Sequence, residues 1–210
     1  MQIHRSRWSR ITVQLAVFGA LFLPALAQVR AQQRALPALD EKFDPLRTQF
    51  NRDIGKVRLI VIVDPTCPPC RWGASEIQKQ VLETIPGNQL AVYVVWIPVL
   101  NFQDETTLQK NGLKESTRVS DPRAIHYIDP KGFSGKQYST VMNVPYHAPA
   151  WDVYFVFGAD VRWEDRAPVP TEWMYQGEGF DRAHLLDGRK FAQQVQKLLT
   201  AASGKASAKR

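Results

Sequence analysis

At 210 residues, 44 % of them hydrophobic, with two cysteines, the sequence suits one domain with a real apolar core and excludes a fold held by a disulfide framework. The formal charge of +7 invites a nucleic-acid role, but Arg5, Arg7 and Arg10 precede an apolar stretch that reads as a removable leader, and Lys205, Lys209 and Arg210 lie in an Ala/Ser/Gly/Lys tail. The part between them is close to neutral, which excludes nucleic acid as an expected partner.

The apolar stretch, residues 11–26, is broken by Gln14 and Pro24 and ends in Ala25-Leu26-Ala27, small residues spaced for cleavage. It is shorter than a membrane span needs, so residues 1–27 are expected to be a secretory signal peptide, with Ala31 as an alternative cleavage point. Its presence directs the mature chain to a periplasm or outside a bacterial cell, where disulfides persist. Residues 28–42 show no periodicity and are expected to be a flexible leader, residues 43–200 the folded domain, and residues 201–210 a disordered basic tail.

Within the domain, Phe43, Leu46, Phe50 and Ile54 recur at helical spacing. Residues 57–63 are almost continuously β-branched or aliphatic, the pattern of a central strand covered on both faces. Asp64-Pro65-Thr66 ends that strand, and a helix to about residue 85 carries Ala74, Ile77, Val81 and Ile85 on one face before Pro86-Gly87 stops it. A second buried strand follows at 90–97, so strand, helix and strand form a βαβ unit and the sheet is at least partly parallel. A polar helix is expected over 106–118, a short strand over 124–128, a short helix over 135–142, and a strong strand over 151–157. Gly158-Ala159-Asp160 reads as a turn with 161–163 as the returning strand, and a last helix over 188–199 presents Phe191, Val195, Leu198 and Leu199. Asp-Pro pairs at 44, 64, 121 and 129 mark turns without a repeat around them.

Cys67-Pro68-Pro69-Cys70 stands where the first strand meets its helix. A helix N-terminus offers unpaired N–H groups and partial positive charge, both of which favour thiolate over thiol. A purely structural disulfide here would close a loop of two residues and contribute little, since the entropic gain grows with loop length. Pro68 and Pro69 lack N–H groups, which leaves the Cys70 N–H and the helix dipole to stabilise a Cys67 thiolate, with Arg71 as a weak extra cation. The Cys67 pKa is therefore expected below that of a free thiol, about 8.5, but above the extreme of about 3.5.

The first strand, the CPPC helix start, Pro149 just before a strand, and a hairpin leading to a C-terminal helix resemble the thioredoxin superfamily over residues 43–199. Tyr127 to Gly132, Tyr138 and Pro149 are similar to the insertion-bearing layout of periplasmic TlpA-like thiol-disulfide oxidoreductases. The resemblance implies an α/β thioredoxin-like fold, a central mixed sheet flanked by helices, with an insertion before a cis-proline strand. It implies Cys67 as the exposed attacking thiol, Cys70 as the buried resolving one, and a cis Ala148–Pro149 bond beside a substrate-binding backbone, with Val144–Pro145 as the alternative. Protein thiols or disulfides would be the partners of a monomer that needs no cofactor, and reduction leaves room for a membrane-bound redox partner as electron source. Two departures stand out. Thr66 occupies a place often held by tryptophan, and Val61 stands where thioredoxin has a buried acid, so Cys70 lacks an evident base; Asp64 and Glu76 read as a turn residue and a solvated charge. The competing class is a Cu(I) carrier using the same two sulfurs with a histidine such as His126 or His147, although each histidine reads first as structural. Trp72, Trp151, Trp163 and Trp173 are read as core or groove aromatics.

Overall fold

The two most continuously apolar runs form the middle of the sheet, because only there is a strand covered on both faces. In the computed structural model, which describes residues 35–177 and 181–207, β1 (Val57–Val63) and β2 (Leu90–Trp96) are buried at every position and pair in parallel from Val57↔Leu90 to Val63↔Trp96. β3 (Ala124–Ile128) extends the parallel part beyond β2, while β4 (Val153–Phe157) and β5 (Glu172–Tyr175) run antiparallel on the other side of β1. The order is β3-β2-β1-β4-β5. The sheet is thus mixed, a parallel βαβ unit followed by an antiparallel pair.

Side chains alternate across β1, so the sheet has two cores. Val57, Leu59, Val61 and Val63 join Ala74, Ile77, Val81, Phe191 and Val195 on one face, together with both cysteines. Ile60 and Ile62 join Phe50, Tyr93, Tyr138, Phe155 and Trp163 on the other. The helices are α1 (Leu46–Arg52), α2 (Pro68–Glu76), α3 (Glu105–Glu115), α4 (Phe133–Val141) and α5 (Gly188–Ser207). A wider π turn, Ile77–Leu82, continues α2 and keeps Ile77 and Val81 buried. No described helix is long and apolar enough to cross a membrane, and the signal peptide expected over 1–27 lies outside the described residues.

Three expectations are corrected. Residues 161–163 do not return as a strand; β4 pairs instead with β5, further along the chain. Side chains supply what a ladder would have: the buried Arg58 guanidinium donates to Gly158 O and, at 2.9 Å, to Val161 O, while Asn51 bonds both the N–H and the C=O of Trp163 at 2.9 and 2.8 Å. The flexible leader expected over 28–42 is ordered where it is described. Leu39 N donates to Ile128 O at 2.8 Å and Ile128 N to Pro37 O at 3.0 Å, because β3 is an edge strand whose outer polar groups accept another partner. The tail expected to be disordered from residue 201 is helical to Ser207. Once Phe191, Val195 and Leu199 anchor α5 on the sheet, the cost of nucleation is already met, and alanine-containing sequence extends the helix at little further cost.

Candidate functional site

The turn between β1 and α2 is built around Asp64, a buried carboxylate. It accepts hydrogen bonds from the Thr66 N–H and hydroxyl, both at 2.7 Å, and from the Leu100 N–H at 2.6 Å, which fastens the turn to the loop after β2. The chain leaves this turn at Cys67, whose extended backbone (φ −80°, ψ 117°) makes it the N-cap of α2, with Pro68 and Pro69 in the first turn. Neither proline has an N–H, so the first amide available to the Cys67 sulfur is that of Cys70, which donates to Sγ at 3.2 Å. Both thiols are free.

The two sulfurs are electrostatically unequal. The Cys67 pKa is lowered by a hydrogen bond from the Cys70 thiol and by the Cys70 N–H, against burial and the charges of Asp152 and Asp64. The Cys70 pKa is pushed far up, first by burial, then by its bond to Cys67 and by the Asp152 charge. One sulfur is thus readied as a thiolate while its neighbour holds the proton, an arrangement suited to attack on a disulfide followed by internal closure.

Solved structures to which this chain is similar include a thiol:disulfide interchange protein of the thioredoxin family from Chlorobium tepidum TLS (11 % identity, 80 % of this chain and 99 % of that one, TM-score 0.47). A secreted Mycobacterium tuberculosis disulfide oxidoreductase (13 % identity, 69 % and 83 %, TM-score 0.42) and a thioredoxin-like protein in the oxidised form (16 % identity, 70 % and 79 %, TM-score 0.43) are also similar. No family model and no curated protein matches the sequence.

Several sequence expectations change at the site. Cys67 was expected to be exposed, yet only 2 % of its surface reaches solvent, because its sulfur joins the apolar cluster beneath α2. The cis peptide among the described residues is Asp44–Pro45; Ala148–Pro149 and Val144–Pro145 are both trans. Pro149 lies beside Gly135 of α4 and lines a cleft with Val99, Phe102 and Pro130, so the reason for assigning substrate binding to Ala148 and Pro149 falls away. The physical cause is register: β4 begins at Val153, so the residue that flanks the strand next to the sulfurs is Asp152, three positions beyond the proline. Arg71 turns its guanidinium to the buried Glu115, 3.9 Å away. His126 is a satisfied, half-buried residue, stacked on Trp96 with its two ring nitrogens bonded to Val119 O (2.9 Å) and Trp96 Nε1 (3.3 Å). Of the four tryptophans expected to be core or groove aromatics, Trp163 is core, and Trp72 stands half exposed two residues after Cys70.

Sequence reading missed Asp152. Its carboxylate is buried, its φ is +54°, and one of its oxygens lies within 4.8 Å of both sulfurs. Tyr154 Oη donates to Oδ1 at 2.6 Å and Gln176 Nε2 at 3.0 Å, and the same Gln176 amide also reaches Pro69 O at 3.1 Å. The available signal was an acid set between Trp151 and the wholly apolar run 153–157, where a buried strand has no use for a charge.

Proposed function

We propose that this chain is a thiol-disulfide oxidoreductase that exchanges disulfides with protein thiols in a bacterial periplasm or outside the cell, with Cys67 as the attacking sulfur and Cys70 as the resolving one. The observation that carries the reading is the Cys70 N–H to Cys67 Sγ bond at the β1–α2 junction, with the two thiols shifted in opposite directions. The leader expected at residues 1–27 supports the compartment. Because Cys67 is buried, exchange also requires local opening of the surface above it.

A Cu(I) carrier draws less from the same site. Beyond two sulfurs the nearest group is a carboxylate, a hard oxygen that Cu(I) does not favour, and His126 is engaged elsewhere. Insulin reduction with a dithiol as electron source tests the proposal: the native chain should accelerate it and Cys67→Ser should abolish the acceleration. Tight Cu(I) binding by a chain that shows no exchange with any protein disulfide would favour the carrier.

A further inference from the structure

We propose that Asp152 is the proton acceptor for Cys70 in the closing step of exchange, supplied from the start of β4 to a site whose β1 carries only valine at position 61. The inference rests on the oxidoreductase reading above.

Three independent features place this carboxylate. Its oxygen and both sulfurs lie within 4.8 Å of one another. Tyr154 and Gln176 both donate to Oδ1, which leaves Oδ2 free of either donor. The backbone is also committed: Asp152 sits at φ +54° with its C=O accepting the Gln176 N–H at 2.9 Å, so the side chain is aimed by the strand entry rather than by a mobile loop. The groups facing it are Cys67 and Cys70 from α2, Tyr154 from β4 and Gln176 after β5, none of them cationic, while Asp64 acts on Cys67 from the β1–α2 turn. Burial raises the Asp152 pKa from its usual 3.8, which moves the carboxylate toward a better base for a thiol.

The sequence of bonds is balanced. The Cys67 thiolate attacks a substrate disulfide, forming a Cys67–substrate disulfide and expelling one substrate thiolate. Asp152 takes the proton of Cys70, whose sulfur then attacks Cys67 Sγ. The bond between Cys67 and the substrate breaks, the Cys67–Cys70 disulfide forms, and the second substrate thiolate leaves and is protonated from solvent or from Asp152. The enzyme dithiol loses two electrons and the substrate disulfide gains them.

Asp152→Asn keeps shape and tolerates the same backbone angle, so it removes the base with least disturbance. With a model peptide disulfide at pH 7, turnover should fall by about 10²-fold, and acid-quenched samples should accumulate the Cys67–peptide adduct by mass spectrometry. The pH midpoint of Cys67 alkylation should move down in the same variant, because a charge opposing the thiolate has gone, a shift that simple misfolding would not produce. Tyr154→Phe retains the carboxylate but removes a donor that keeps it ionised, so the acid limb of its pH–rate profile should move to higher pH. Turnover within twofold of native with no adduct, or an unmoved limb in Tyr154→Phe, overturns the proposal. Cys70→Ser separates the two readings: if it forms no adduct with the peptide disulfide, the oxidoreductase reading itself fails, whereas an adduct there with normal resolution in Asp152→Asn rejects only the role of Asp152.

Discussion

Gly73→Ala measures how tightly α2 is seated on the network that holds Asp152. A Cβ added at Gly73 would lie 1.9 Å from Tyr154 Oη, 2.3 Å from Gln176 Nε2 and 2.7 Å from Tyr154 Cζ. Carbon contacts relax only near 3.5 Å, so helix and ring must separate by roughly 1.5 Å or the two polar side chains must swing away. Overpacking of this kind costs about 1–3 kcal/mol. Displacing Tyr154 from Asp152 also breaks a buried, charge-assisted hydrogen bond at 2.6 Å, worth about 1.5–3 kcal/mol. A loss of about 2.5–6 kcal/mol is expected from these two contributions, which for a domain of this size lowers the melting temperature by roughly 5–24 °C. Urea denaturation followed by tryptophan fluorescence gives the free energy, with circular dichroism for the midpoint on heating. Removing the Tyr154 hydroxyl takes away the nearest clashing atom, so Tyr154→Phe should cost less in the Gly73→Ala background than in the native one. A loss below about 1 kcal/mol, or strict additivity of the two substitutions, would show that α2 is not seated as described.

Gly204 makes the contrasting case, since a Cβ there meets nothing within 4 Å and the residue lies inside α5; Gly204→Ala should stabilise by about 0.5–1 kcal/mol in the same urea assay. Arg58→Leu should destabilise by about 2–4 kcal/mol and speed amide exchange across residues 158–163, because the carbonyls of Gly158 and Val161 lose their donor; unchanged exchange there would argue against it. The Asp152 pKa is raised in the fold, so the native state binds a proton more tightly than the unfolded chain. Stability from this group is complete below the unfolded value near 3.8 and declines as pH rises toward the folded one. Asp152→Asn should remove that decline, so its stability relative to native should improve as pH rises through the window, and a pH-independent difference would contradict the sign. Native Cys67 should alkylate with a pH midpoint below that of free cysteine but at a limiting rate well below it, since the sulfur is buried, and the rate should recover in urea.

Local pattern was enough for the middle of this fold. Residues 57–63, Arg58 excepted, and 90–96 carry apolar side chains because a central strand has no solvent face, and that property is written in the order of the residues themselves. The CPPC helix start was legible for a similar reason: prolines at N1 and N2 exclude all but one nearby donor, a local consequence of covalent structure. What failed were inferences that depended on distant partners. Residues 161–163 look like a strand until Arg58 and Asn51, more than a hundred positions earlier, satisfy their carbonyls and amides. Residues 37–39 look unstructured until the edge of β3 offers them a ladder.

The sequence by itself determined that two thiols stand at the head of a helix next to a buried strand, because strand burial and proline geometry act over a few neighbouring residues. Tertiary structure alone decided which other groups meet those sulfurs. Asp152, Tyr154 and Gln176 come from β4 and the end of β5, and only the pairing of β4 against β1 sets their height along the sheet. A shift of that register by one residue would turn every side chain to the opposite face and take the carboxylate with it.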